Sequence, residues 1–239
     1  MKYALVTGGT KGIGLAIVRM LLKDGYYVVL TYAHDDTVAE NSKNNLAQIS
    51  PHYSVVKANL ENKQNREFLL EKLNRYPTLD CIVFNAGSTV RKGLRDITEE
   101  EWQSVMDVNV NTPVFLLRDL YEKIPHGSRI VFIGSEMALY PHGTSLAYSV
   151  SKSAVHALAK NLVKFFEGTD TTVNAIAPGF VETEWQSKKS EEIRQNICNK
   201  TALKRFATVD EIADAVKFCI NNPFVNGSVI EVSGGYCYK

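Results

Sequence analysis

Residues 4–14 read Ala-Leu-Val-Thr-Gly-Gly-Thr-Lys-Gly-Ile-Gly, and the apolar residues Leu15, Ala16 and Ile17 follow directly. This order predicts a short strand, a glycine-rich turn and a helix. Glycines let backbone N–H groups approach a phosphate, and a helix N-terminus presents unpaired N–H groups and the positive end of its dipole. No Gly-Lys-Ser/Thr sequence follows, so the turn is not a P-loop. Its position between the first strand and the first helix predicts a site for a dinucleotide pyrophosphate.

Strand and helix patterns alternate from this turn to the end of the chain. Strands are predicted at Tyr3–Thr7, Tyr27–Tyr32, Ser54–Ala58, Cys81–Phe84, Arg129–Gly134, Thr172–Ile176 and Ser228–Val232, and helices at 12–24, 37–49, 62–75, 99–122, 147–167 and 209–221. This alternation predicts an α/β fold of the Rossmann-like, doubly wound type, with a seven-stranded parallel sheet and helices on both faces. No linker or repeat interrupts it, so residues 1–239 are expected to form a single domain.

The composition is that of an ordinary globular protein, with 45% apolar and 22% charged residues. Its net charge of +1 gives no electrostatic reason to expect a nucleic acid or a membrane surface as partner. Cys81, Cys198, Cys219 and Cys237 lack a CxxC spacing, so free thiols in a reducing compartment are expected rather than a metal site. No uncharged stretch reaches about 18 residues and the first apolar segment is too short for a signal peptide, so a soluble cytoplasmic protein is expected.

A tyrosine and a lysine four residues apart, Tyr148 and Lys152, follow Ser135 along the chain. In a helix this spacing puts both side chains on one face, where a cation favours the phenolate form of the tyrosine. Ser135 follows the apolar run Ile130–Gly134, and open α/β sheets bind ligands where their strands end. The pair alone is a weak signal, because most such pairs are ordinary exposed residues on a helix.

Six motifs carry a resemblance to a known family. In chain order they are Thr7-Gly-x-x-x-Gly-x-Gly14, Asn85-Ala86-Gly87, Asn109, Ser135, Tyr148-x-x-x-Lys152 and Pro178-Gly179. With them the whole chain resembles a single-domain short-chain dehydrogenase/reductase. Through residues 178–183 and its C-terminal third it is most similar to the bacterial 3-oxoacyl-[acyl-carrier-protein] reductases. The resemblance implies an NADP-dependent oxidoreductase that reduces a ketone to a secondary alcohol, with fatty acid biosynthesis as its setting.

The resemblance also implies a role for each motif residue. Ser135 would polarise the substrate oxygen, Tyr148 would exchange a proton with it, and Lys152 would lower the pKa of Tyr148 and bind the nicotinamide ribose. Asn109 would hold a water of the proton relay, and Asn111 is the less favoured alternative. No metal is expected. The implied cofactor contacts are Gly8, Thr10, Lys11, Gly12, Ile13, Gly14, Tyr32, Asn59, Leu60, Asn85, Ala86, Gly87, Tyr148, Lys152, Pro178, Gly179, Val181 and Thr183.

The end of the second predicted strand bears on the choice between NAD and NADP. Relatives that prefer NAD have a carboxylate there for the ribose 2′-hydroxyl, whereas this chain has Thr31-Tyr32-Ala33, with Asp35 and Asp36 a few residues later. Lys11 in the glycine turn offers a cation for a 2′-phosphate, although it could equally be a solvated loop charge. These residues favour NADP(H).

The sequence gives less information about the substrate than about the reaction. By resemblance, a polar lid of about 182–205 closes the pocket. The candidate walls are Thr89, Val90, Met137, Leu139, Phe180 and Trp185. Arg91, Lys92 and Arg95 could bind a phosphopantetheine or an acidic carrier protein, but the turn at residues 167–170, Glu-Gly-Thr-Asp, is acidic where carrier-protein reductases tend to be basic.

Three functions are therefore carried forward. The first is a 3-oxoacyl-thioester reductase that acts on thioesters of acyl carrier protein or of coenzyme A. The second is a reductase of another small carbonyl, sugar or polyol, and the third is an NADP-binding regulator without turnover. The intact set of Asn109, Ser135, Tyr148 and Lys152 argues against the regulator. By analogy with the family, a homotetramer is expected through the helices 99–122 and 147–167 and the C-terminal strand.

Overall fold

The computed structural model describes residues 1–140 and 143–236 of the chain. Its strands are β1 (Lys2–Val6), β2 (Tyr26–Tyr32), β3 (Tyr53–Lys57), β4 (Cys81–Phe84), β5 (Arg129–Ile133), β6 (Thr172–Pro178) and β7 (Val229–Val232). They form one seven-stranded sheet in the order β3-β2-β1-β4-β5-β6-β7, and every pairing is parallel. The chain therefore builds outward from β1 in one direction and from β4 in the other, and the two halves diverge at the carboxyl ends of these neighbouring strands.

Helices cover both faces of the sheet, which explains why the central strands are apolar without interruption. They are α1 (Gly12–Lys23), α2 (Asp36–Ala47), α3 (Lys63–Leu73), α4 (Glu99–Met106), α5 (Thr112–Leu120), α6 (Leu146–Leu162), α7 (Glu184–Ser187), α8 (Glu191–Lys200) and α9 (Val209–Asn221). Alternate residues of a strand point to opposite faces. Val6 accordingly lies in one core cluster with residues of α1 and α9, and Leu5 lies in another with residues of α3, α5 and α6.

The sequence predicted every strand of this sheet, and its parallel doubly wound character is confirmed. The predicted limits of all seven strands and of the first three helices lie within two residues of the observed ones. Among the described residues, no helix has the length and apolar character needed to cross a membrane. Cys81, Cys198 and Cys219 are free thiols, and Cys237 lies outside the described residues.

Two of the longer predicted helices need correction. The predicted helix 99–122 is divided, because a π-helical turn at Asp107–Asn111 separates α4 from α5. The predicted helix 147–167 ends as α6 at Leu162 and tightens into a 3₁₀ turn at Val163–Phe166. A π turn inserts one extra residue into the helical repeat, and apolar periodicity alone does not reveal so small a change.

Candidate active site

A cleft of about 700 Å³ opens at the carboxyl ends of the strands, where β1 and β4 lie side by side. It is lined by the turn after β1, the ends of β2 and β4, one face of α6 and the segment after β6. All eighteen residues predicted to contact the cofactor, from Gly8 to Thr183, line this cleft. Of the predicted catalytic residues, Tyr148 and Lys152 line it as well, whereas Ser135 and Asn109 are buried.

The glycine turn is held against the end of β4 by paired hydrogen bonds. The Asn85 amide nitrogen donates to the Thr7 and Gly8 carbonyl oxygens at 3.0 and 2.9 Å. In return the Thr7 hydroxyl accepts from the backbone N–H groups of Asn85 and Ala86, both at 3.0 Å. A Cβ at Gly14 would lie 2.1 Å from the Gly8 oxygen, so only glycine fits where α1 meets the turn. The motif residues therefore fix the shape of the turn as well as lining the cleft.

Two further polar residues hold the glycine turn in place by hydrogen bonds, and neither belongs to the six sequence motifs. The Gly8 N–H donates to the Thr31 hydroxyl at 3.1 Å. The Ser42 hydroxyl, on α2, donates to the Thr10 carbonyl oxygen. Both hydroxyls are buried polar groups with partners far away in sequence, and such contacts depend on how the elements pack. Their only sequence signal is a polar residue in an otherwise apolar strand or helix face.

Ser135, Tyr148 and Lys152 meet where β5 ends against α6. The Ser135 hydroxyl accepts from the Met137 N–H at 3.2 Å and is hydrogen-bonded to the Tyr148 hydroxyl. The Lys152 ammonium lies 5.6 Å from the centre of the Tyr148 ring. It is buried and donates to the Ile133 carbonyl oxygen at 2.6 Å. The predicted serine, tyrosine and lysine thus form one cluster.

Burial dominates the ionisation of this cluster. It lowers the pKa of Lys152 to about 8, because a charged ammonium is poorly solvated there. It also raises the pKa of Tyr148, and the negative charge of Glu136 adds to the rise while the hydrogen bond with Ser135 opposes it. Burial is the largest of these influences, so the pKa of Tyr148 lies above its ordinary value, and the lowering expected from Lys152 stays a prediction.

Asn109 occupies the centre of the π turn, and π turns are frequent at functional sites. Its amide nitrogen donates to the Ser88 carbonyl oxygen at 2.9 Å and to the Ser151 hydroxyl at 2.8 Å. Its amide oxygen accepts from the Ser88 N–H at 2.8 Å. Asn111 instead donates to the Asp107 carboxylate at 2.7 Å. The structure thus separates the two asparagines, with Asn109 facing the loop that leaves β4.

Charged side chains surround the cleft where β2 ends. The Tyr32 hydroxyl donates to the Asp36 carboxylate at 2.8 Å, and the Lys57 ammonium lies 2.6 Å from the same carboxylate. Asp35 caps α2 by accepting from a backbone N–H. Lys11 is paired with Glu184 of α7 at 2.8 Å. The later aspartates are therefore engaged by neighbours, and Lys11 is held at the rim of the cleft by an exposed ion pair.

Of the six residues predicted to line the substrate pocket, one lines the cleft. Trp185 lines it, with its ring 6.5 Å from the Tyr148 ring in an edge-on arrangement. Thr89, Val90, Met137, Leu139 and Phe180 do not line it. Lys92 is paired with Glu101 at 2.6 Å. Among the residues that the structure describes, no group of three or more His, Cys, Asp or Glu side chains could hold a metal ion.

Comparison with known proteins identifies the family. The family profile described as short chain dehydrogenase matches residues 2–194. The short-chain dehydrogenase/reductase SDRA of Arabidopsis thaliana is 31% identical over 240 residues, which cover 98% of this chain and 94% of the relative. The 3-oxoacyl-[acyl-carrier-protein] reductase FabG of Aquifex aeolicus (strain VF5) is 31% identical over 243 residues, which cover 98% of this chain and 96% of the relative.

A solved structure shares the same architecture. The angucycline C-6 ketoreductase LanV, solved with bound NADP, superposes with a TM-score of 0.91 at 27% sequence identity. The match covers 98% of this chain and 95% of the LanV chain. The likeness therefore extends over the entire sheet and its helices.

Proposed function

The chain belongs to the short-chain dehydrogenase/reductase family, and we propose that it uses NADPH to reduce a ketone to a secondary alcohol, with a 3-oxoacyl thioester as substrate. The observation that supports this most strongly is the meeting of Ser135, Tyr148 and Lys152 beside a cleft lined by every predicted cofactor contact. The protein is an oxidoreductase that uses a nicotinamide cofactor, and its preference for NADPH and its substrate are the proposed parts.

The glycine turn has the form that a dinucleotide pyrophosphate needs. Gly8 and Gly12 have φ angles of +65° and +54°, a conformation that side chains rarely adopt. The turn leads directly into the N-terminus of α1 at Gly12, which suits an anion. When bound, a reduced nicotinamide cofactor supplies a hydride. The chain's own residues must therefore orient the ketone and handle the proton.

Proton transfer falls to the residues at the end of β5 and on α6. Ser135 donates a hydrogen bond to the carbonyl oxygen and polarises it. Tyr148 then gives its proton to the developing alkoxide. Tyr148, whose pKa is raised by burial, is protonated at neutral pH, and a proton donor must be in this form. Lys152 orients the cluster through Ile133, and Asn109 holds the loop that leaves β4.

Removing the proton donor tests this mechanism. We expect Tyr148→Phe to lower kcat by at least about a hundredfold, the usual scale of general acid catalysis, while NADPH affinity stays within about threefold of wild type. NADPH fluorescence titration and a steady-state assay measure the two effects separately. Full turnover by the variant would refute the role of Tyr148.

The preference for NADPH rests on the end of β2. The carboxylate of Asp36 is bound by Tyr32 and Lys57, so its charge is balanced. Lys11 lies on the cleft in an exposed ion pair with Glu184, and a bound 2′-phosphate would compete with that carboxylate for the lysine. The solved relative LanV carries bound NADP, which agrees with this choice. We expect kcat/KM for NADPH to exceed that for NADH by at least about tenfold, and an equal or reversed ratio would reject the preference.

The substrate is tested with a panel. NADPH oxidation is followed with an acetoacetyl thioester beside simple ketones, sugars and polyols. Activity confined to the thioester supports the proposal, whose basis is the likeness to the Aquifex reductase. Activity confined to the other carbonyls would favour the second candidate, which the ketoreductase LanV and the acidic turn at residues 167–170 support. Cofactor binding with no turnover would favour a regulator.

The proposed assembly is a homotetramer, and the proposed setting is the cytoplasm. Phe115, Val150 and Phe165 lie within the stretches predicted to form the contacts and are 36%, 39% and 68% exposed. Apolar side chains exposed to this degree are suited to contacts between copies. Light scattering at micromolar concentration distinguishes a tetramer from a monomer.

A further inference from the structure

A buried histidine lies behind the catalytic cluster and takes no part in the mechanism above. We propose that His156 is a positioning residue that fixes the backbone of Ser135 through its imidazole Nε2 and so aims the serine hydroxyl at the substrate oxygen. The catalytic part of this inference rests on the proposed reduction, in which Ser135 polarises the carbonyl. The backbone contact itself does not depend on that function.

The contact is formed between the end of β5 and the middle of α6. The Ser135 N–H donates to His156 Nε2 at 3.4 Å, and both residues are buried. The ring fits closely under the chain, because a Cβ at Gly134 would lie 2.2 Å from Nε2 and 2.6 Å from Cδ2. Because Gly134 has no side chain, the imidazole packs directly against the backbone at this residue.

Three successive residues of this segment are each held by a different group. The Ile133 carbonyl oxygen accepts from Lys152 at 2.6 Å. The Gly134 N–H donates to the Ile176 carbonyl oxygen of β6 at 2.7 Å. The Ser135 N–H is held by His156. The histidine thus holds the last of the three residues, the one whose hydroxyl meets Tyr148.

The spacing along α6 connects these contacts to the catalytic residues. Tyr148, Lys152 and His156 follow one another at intervals of four residues, so they form a stripe along one helix face. The first contacts the Ser135 hydroxyl, the second contacts the Ile133 oxygen and the third contacts the Ser135 N–H. One rigid helix therefore sets the position of the serine from both its side chain and its backbone.

The imidazole can accept this hydrogen bond only while it is neutral, with its proton on Nδ1. Burial and the positive charges of Lys152 and Lys160 lower the pKa of His156 to about 4. At neutral pH the ring is therefore an acceptor, as the contact requires.

A matched pair of polar variants tests the inference. In His156→Gln the side-chain amide reaches about as far as Nε2 and can accept from Ser135, whereas in His156→Asn it is one carbon shorter and cannot. We expect His156→Asn to lower kcat at least about tenfold with the Kd for NADPH unchanged within about twofold, and His156→Gln to recover most of kcat. Equal kcat values for the two variants would overturn the positioning role.

Hydrogen exchange of the Ser135 amide gives a readout that does not need turnover. We expect this amide to exchange at least about tenfold faster in His156→Asn than in His156→Gln or wild type. Unchanged exchange in His156→Asn would overturn the inference even if the wild-type protein reduces none of the ketones. Absence of wild-type turnover would by itself count against the proposed function, so the two failures are distinguishable.

Discussion

Replacing Gly14 by alanine tests whether the glycine turn is shaped by packing against β4. In the structure the added Cβ would lie 2.1 Å from the Gly8 carbonyl oxygen and 2.5 Å from the Asn85 amide nitrogen. Neither atom can easily move, because Asn85 Nδ2 donates to both the Thr7 and Gly8 oxygens. The substitution must therefore displace the turn or break these hydrogen bonds.

The expected destabilisation follows from three contributions. Overpacking a close contact costs about 1–3 kcal/mol, and loss of one or both Asn85 hydrogen bonds costs about 1 kcal/mol each. Gly14 lies within α1, where alanine would otherwise stabilise the helix by about 1 kcal/mol relative to glycine. The net loss of unfolding free energy is therefore about 1–4 kcal/mol. At about 2–4 °C per kcal/mol for a chain of this size, the middle of this range lowers the melting temperature by about 8 °C.

The matched control is Gly93→Ala, because a Cβ there meets no atom within 4 Å. Thermal unfolding and NADPH fluorescence titration are measured for wild type and both variants. We expect Gly14→Ala to lose stability and to raise the Kd for NADPH at least about tenfold, equivalent to 1.4 kcal/mol, with Gly93→Ala close to wild type. If the two variants behave alike, the turn is not held as the structure indicates.

Two further predictions concern the buried polar residues near the site. Asn109→Ala removes three hydrogen bonds and leaves Ser88 groups without partners, so we expect a loss of about 2–4 kcal/mol in urea unfolding, against little change for Asn111→Ala. Because His156 has a pKa of about 4 when folded and about 6.5 when unfolded, the unfolded chain binds an extra proton between these values. We expect stability to fall by about 3 kcal/mol as the pH drops from 6.5 to 4, and this part of the acid sensitivity to be absent in His156→Gln.

The sequence predicted the sheet and the cleft because their signals are local. Each strand is a short apolar run between turns, and parallel strands must be joined by helices, so the alternation specifies the layers. The glycine turn, Asn85-Ala86-Gly87 and residues 178–183 each follow a strand of the sheet. Since the carboxyl ends of parallel strands meet at one edge, these segments had to come together, and all of their predicted contacts line one cleft.

The features that the sequence did not predict depend on contacts between distant elements. Thr31 binds the glycine turn from the neighbouring strand, and His156 reaches Ser135 across 21 residues of sequence. The π turn around Asn109 shifts the helical register by a single residue. Apolar periodicity cannot distinguish such a shift from an ordinary helix. A single polar residue on an apolar face does not show which distant residue it contacts.

The ionisation of the Tyr148 cluster bears on the direction of the reaction. A tyrosine that acts as a base must lose its proton, and the nearby cation that would help it is Lys152, whose pKa is about 8. Above that pH the lysine loses its charge and no longer stabilises the phenolate. Raising the pH therefore removes this stabilisation while it drives the phenol towards ionisation. Reduction needs the protonated phenol, which the raised Tyr148 pKa maintains. The same burial therefore keeps Tyr148 protonated at neutral pH, which is the form that donates a proton in the proposed reduction.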